Sequence, residues 1–139
     1  MLIFSAITWH KLPPNPVNGI LGENVTLEWN FTLNSAKETL DYFELSRGDD
    51  KMIKYSDHTG VVWYKSGKGS VGLTRNGTSS FTLINLKRSD EKRYCCEVNT
   101  KSKWGSEGDF EKSCTELLLL GKTWGHLSLL HLLRFSFKA

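Results

Sequence analysis

Residues 24–33 alternate strictly between apolar and polar side chains. Val25, Leu27, Trp29 and Phe31 share one parity, and Asn24, Thr26, Glu28 and Asn30 share the other. Side chains along a strand point to opposite faces in turn, so this segment is a strand with one face in a core and one in water. Short segments of similar kind recur, separated by turn-forming residues. Pro13-Pro14-Asn15-Pro16 precedes a short strand at 17–21, placed at an edge because proline cannot donate to a ladder. Gly22-Glu23 is a turn. Residues 40–47 form a strand with Phe43 and Leu45 inward and Tyr42, Glu44 and Ser46 outward. Gly48-Asp49-Asp50 turns into a strand at 51–55, and further strands follow at 61–65 and 71–75. Asn76-Gly77 is a tight-turn signal before a strand at 79–86. The last two strands, 92–100 and 110–120, flank a loop rich in Ser, Gly and charge. With no amphipathic helix within 14–121, the pattern predicts an all-β antiparallel sandwich of two sheets.

The chain has 139 residues, enough for one domain with a short excess. A net charge of +3 is too small and too dispersed for a nucleic-acid surface; the densest basic cluster, Lys87-Arg88 with Lys92-Arg93, is interrupted by Asp90 and Glu91. The three cysteines, Cys95, Cys96 and Cys114, lack metal-site spacing, and the four histidines are scattered. No nucleophile–base pair, phosphate loop or zinc-protease helix is present. The expectation is a protein that is not an enzyme, takes no cofactor or metal and binds no nucleic acid.

Ser89-Asp90-Glu91-Lys92-Arg93-Tyr94-Cys95-Cys96 narrows the class. It resembles the entry to strand F in the immunoglobulin superfamily, where Asp is followed by Tyr four residues on and Cys two further. In that family the Tyr hydroxyl bonds back to backbone, and the Cys enters the same core. Here Asp90, Tyr94 and Cys96 hold those positions. The resemblance covers about 14–121, with 24–33 as strand B, 40–47 as C, 51–55 as C′, 79–86 as E and 110–120 as G. Position 29 lies 67 residues before Cys96, with room for a C′ region. The resemblance therefore implies the variable (V-set-like) Greek-key immunoglobulin sandwich.

Two hallmark positions are altered. The strand B position that usually holds Cys carries Trp29, and the strand C position that usually holds Trp carries Leu45. The B–F disulfide of the family cannot form, and Trp29 is expected to fill its volume against Cys96 and Leu45. The resemblance makes strands F and G neighbours, so Cys114 could bridge Cys95 or, alternatively, Cys96, or stay free. Cys95 points away from the core and gives the first pairing.

Three glycosylation acceptors, Asn24, Asn30 and Asn76, fall on or beside strands B and E. The resemblance puts those strands in one sheet, which leaves the G-F-C-C′ sheet open. Candidate partner-binding residues on that face are Tyr42, Glu44, Tyr55, Arg93 and Glu97, with Trp104 in the F–G loop. Arg47-Gly48-Asp49 matches the integrin-recognition tripeptide, but Arg is expected there from the family pattern and Gly-Asp is ordinary turn chemistry.

The expected organisation is an N-terminal segment at 1–13 (a partial signal or strand A), the immunoglobulin-like domain at 14–121 and an apolar tail at 122–139. The tail's apolar run is too short, and too interrupted by His131 and Arg134, for a clear transmembrane span. Membrane attachment is left open. The resemblance implies an extracellular or cell-surface recognition or adhesion module whose partner is a protein ligand or another Ig-like domain, homophilic or heterophilic. The alternative is a structural spacer of a larger protein with no ligand of its own.

Overall fold

A computed structural model describes residues 6–33, 38–74, 79–103 and 107–121. They form ten strands: β1 (Ile7–Lys11), β2 (Val17–Ile20), β3 (Val25–Leu33), β4 (Glu38–Arg47), β5 (Asp50–Ser56), β6 (Gly60–Trp63), β7 (Val71–Thr74), β8 (Ser79–Leu83), β9 (Arg93–Ser102) and β10 (Glu107–Leu120). One sheet has the order β1-β3-β8-β7, the other β2-β10-β9-β4-β5-β6. All pairings are antiparallel except β2 with β10. The order corresponds to A-B-E-D facing A′-G-F-C-C′-C″, the arrangement expected of a variable-type sandwich.

The first strand settles how residues 7–11 are used. Ile7 pairs with Leu33 and Thr8 with Thr32, so this segment is strand A of the first sheet and the sandwich begins before residue 14. The chain then crosses to the far edge of the other sheet through Pro13–Pro16. Residues 1–5 and the tail at 122–139 lie outside the described residues. No described helix is long and apolar enough to cross a membrane.

Parity puts the expected residues inside. Leu27, Trp29, Phe43, Leu45, Phe81, Tyr94, Cys96 and Val98 are all fully buried in one apolar cluster. Trp29 stands edge-on to Phe81, with ring centroids 5.9 Å apart. Its indole N–H donates to Ser113 Oγ on β10 at 3.0 Å. Ser113 is the register partner of Cys96, so the ring crosses the core from sheet to sheet and reaches the place where a B–F bridge would have ended. A buried indole N–H needs such an acceptor. Cys96 is a free, fully buried thiol whose burial pushes its pKa far up. It is therefore expected to resist a thiol reagent such as DTNB in the native fold and to react only after denaturation, and rapid native modification would contradict this packing.

Several strand ends shift by two or three residues, and two departures change what the strands present. β8 stops at Leu83 rather than 86, because Asn85 turns with φ of 52° and its N–H donates to Asn24 Oδ1 at 2.9 Å. Asn tolerates that left-handed backbone better than most residues. β5 carries a bulge against β4: Leu45 faces Ile53 and Ser46 faces Lys51, leaving Met52 as the extra residue. One inserted residue reverses the facing of everything beyond it.

Candidate functional site

The corner is built around Asp90. Tyr94 Oη donates to the Asp90 carbonyl at 2.6 Å, closing the expected tyrosine corner. The Asp90 carboxylate accepts the Lys87 N–H at 2.8 Å on one oxygen and the Arg47 guanidinium on the other. Burial of Tyr94, with the Asp90 charge beside it, pushes its phenol pKa well above the ordinary value. Arg47 ends β4, and Gly48 follows with φ of +57°, a backbone that glycine allows without strain. The Arg47 side chain is thus committed to Asp90 and only 17% exposed, so Arg47-Gly48-Asp49 does not present a free guanidinium.

The outer face of the larger sheet is the candidate site, and the β9–β10 register sets its phase. Cys95 lies opposite Cys114, and the two form a disulfide with an S–S distance of 2.04 Å. The bridge joins neighbouring strands within one sheet on the side away from the core. The bonded pair is the first of the two expected, and Cys96 stays out of it. A closed loop of this length is worth about 3 kcal/mol by chain entropy.

From that pair the outward residues follow in rows across β10, β9, β4, β5 and β6. Phe110 faces Asn99, which faces Tyr42. Lys112 faces Glu97, Glu97 faces Glu44, Glu44 faces Lys54, and Lys54 faces Val62. Glu116 faces Arg93. Tyr42 Oη donates to Glu97 Oε2 at 2.7 Å, and Lys54 Nζ lies 4.3 Å from the centre of the Tyr42 ring. Partial burial, with the carboxylate bond second, pushes the Tyr42 pKa up to about 12. Tyr64 Oη donates to Glu44 Oε2 at 2.9 Å, and its pKa is raised by desolvation and by that bond. Tyr64 is held there by its backbone: its N–H donates to the Met52 carbonyl, and Gly67 lies so close to that carbonyl that a Cβ would stand 2.0 Å from it.

A half-open groove of about 730 Å³ runs along this side between Tyr42, Lys54, His58, Val62, Tyr64 and Lys101. Phe110 stands 55% exposed on the neighbouring strand. With Leu40, Asp41 and Asp57 also in its lining, the groove combines aromatic rings, aliphatic side chains and both signs of charge, the mixture that suits a protein surface better than a single small ligand. Among the described residues, no group of three or more His, Cys, Asp or Glu is placed to hold a metal ion.

The expected site residues divide. Tyr42, Glu97 and the exposed Arg93 face outward together, as anticipated. Glu44 also faces outward but is only 6% exposed under Tyr64 and Lys51, so it contributes charge rather than contact surface. Tyr55 is a correction. Without a bulge it would oppose Tyr42 and face out; with Met52 as the extra residue it opposes Phe43 and stacks on that core ring at 5.1 Å. Trp104 and Asn76 lie outside the described residues. Asn24 is exposed and Asn30 half-buried, both on the β1-β3-β8-β7 side. The sequence reading missed Lys54, Tyr64, Val62, Phe110 and Lys112. Phe110 and Lys112 were within reach of it: once Cys114 is taken as outward, the period of two marks both as outward too.

Neither a protein-family model nor a curated protein sequence matches this chain. Its fold does match solved structures. Murine CRIg superposes with a TM-score of 0.66 at 18% identity, over 81% of this chain and 97% of that one. Domain 1 of VCBP3 from Branchiostoma floridae gives 0.61 at 19% identity, over 84% and 96%. The first Ig-like domain of human CD48 antigen gives 0.56 at 19% identity, over 77% and 82%. At such identities the likeness speaks for architecture alone, and the strand order, the tyrosine corner and the Arg47–Asp90 pair say the same: this chain has the fold of a variable-type, V-set-like immunoglobulin domain.

Proposed function

We propose that this domain is an extracellular recognition module that binds a protein partner through the outer face of β10, β9, β4, β5 and β6. The observation that carries the reading is the asymmetry between the two sheets. One outer face offers a groove flanked by Tyr42 and Tyr64, with Phe110 exposed nearby. The opposite sheet holds the described glycosylation acceptors, Asn24 and Asn30. Asn24 uses only its Oδ1 in the bond to Asn85, which leaves the amide nitrogen for a glycan. Aromatic and cationic side chains at the centre of a face are the usual energetic anchors of protein recognition. Binding by such a face is non-covalent and calls for no cofactor.

The test has two parts. Expressed through a secretory eukaryotic host, the chain is expected in the medium with a mass that falls on glycosidase treatment. The secreted protein, tetramerised on streptavidin, is then applied to an array of cell-surface ectodomains. Saturable binding is expected, and Tyr42→Ala and Phe110→Ala are each expected to weaken it at least about tenfold, the effect of losing a modest hot spot. Absence of saturable binding to any ectodomain would favour the spacer role instead.

A further inference from the structure

The central row of this face is symmetric in charge. Across β10, β9, β4 and β5 it reads Lys112, Glu97, Glu44, Lys54: base, acid, acid, base. The two acids are direct cross-strand neighbours, each held by a tyrosine hydroxyl, and neither tyrosine neutralises its charge. Other charges flank the row, and Lys51 offsets part of the Glu44 charge, so Glu97 is the less compensated of the two acids. Lys51 Nζ stands 3.7 Å from Glu44 Oε1 on the β5 side, and Arg93 and Glu116 oppose each other four residues further along their strands, beyond the Cys95–Cys114 pair.

That symmetry has a consequence for pairing. Sheets packed face to face sit about 10 Å apart, within reach of long side chains from both. Consider a second copy of this chain related by a two-fold axis centred on the row. With the axis along the strands, β9 meets β4 and β10 meets β5, so Glu97 meets Glu44 and Lys112 meets Lys54. With the axis across the strands, every strand meets itself. Either way acid meets acid and base meets base, and juxtaposed like charges reject a partner. We infer that this face is built against centred self-pairing and that its partner is a different protein surface, one with a basic centre flanked by acidic side chains. The inference rests on the recognition role proposed above and selects the heterophilic form of it.

A net-neutral charge exchange tests it. Glu97→Lys with Lys54→Glu changes the row to base, base, acid, acid, which is complementary to itself about an axis along the strands. Both substitutions lie on the outer face and leave Glu44 and its tyrosine in place. Sedimentation equilibrium of the full chain would be compared at low and high ionic strength. Wild type is expected to stay monomeric at both. The double variant is expected to self-associate at low salt, with at least a tenfold lower dimer dissociation constant than wild type, and to lose that gain at high salt. Two results would overturn the inference: a wild-type dimer that cross-links through Lys54 or Lys112, or a double variant, folded by circular dichroism, as monomeric as wild type. The first would leave the recognition role standing as homophilic. The second would remove only the role of the charge row, since the Tyr42→Ala comparison reads the recognition face separately.

Discussion

Trp29→Ala is expected to cost about 3–5 kcal/mol of folding stability, the range for deleting a large buried aromatic. Three losses combine. The void opens where the side chain is fully buried, so no solvent-facing collapse relieves it. The edge-on contact with Phe81 disappears. Ser113 Oγ loses the donor that reaches it from the opposite sheet. Trp29→Phe separates these effects, because it keeps a ring near Phe81 and removes only the N–H and some volume; it should cost less than half as much. Urea unfolding followed by circular dichroism reads both variants. A loss below about 1 kcal/mol for Trp29→Ala would mean that the ring does not hold the sheets together.

Asp90→Ala is expected to cost about 3 kcal/mol, the low end for breaking a buried ion pair, because Asp90 and Arg47 keep 12% and 17% of their side chains exposed. The carboxylate serves two donors, the Lys87 N–H and the Arg47 guanidinium, and its removal leaves both underpaired next to the corner. Arg47→Ala alone should cost comparably. The double variant should cost clearly less than the sum, since the second substitution removes the charge that the first left stranded. Additive losses in the same unfolding assay would show that the two side chains act independently and that the pair is not the element fixing the corner.

Those two positions also mark what was legible beforehand. Asp90, Tyr94 and Cys96 could be read because their spacing encodes a local device: a 3-10 turn, a back-bonded hydroxyl and an inward side chain, all within nine residues. Trp29 could be placed because a period of two assigns its face without knowledge of its neighbours. What it would touch was a different matter. Ser113 lies 84 residues away, and a polar residue on the inward parity of β10 has no signature of its own. Tyr55 was misassigned for a related reason. Whether a strand bulges depends on its partner, and nothing in residues 50–56 alone announces that Met52 is the surplus residue. The charge row was hidden for the same cause: Lys112, Glu97, Glu44 and Lys54 come from four segments, and only the register of three ladders puts them in line.

The position of the disulfide governs how the domain would bear mechanical load. A bridge from strand B to strand F would enclose most of the sandwich and hide that length from a pulling force. The Cys95–Cys114 bridge encloses a separation of only 19 residues, between adjacent strands of one sheet. Drawn out from its two ends, the chain could pay out nearly its whole contour, at roughly 3.3–3.6 Å per residue, before tension reached a covalent stop. Resistance would come first from non-covalent contacts, with the Trp29 side chain acting as a rivet between layers. Such a domain would yield under tension without chemical change, and of the five strands that carry the outer face only β9 and β10 would stay tethered to each other.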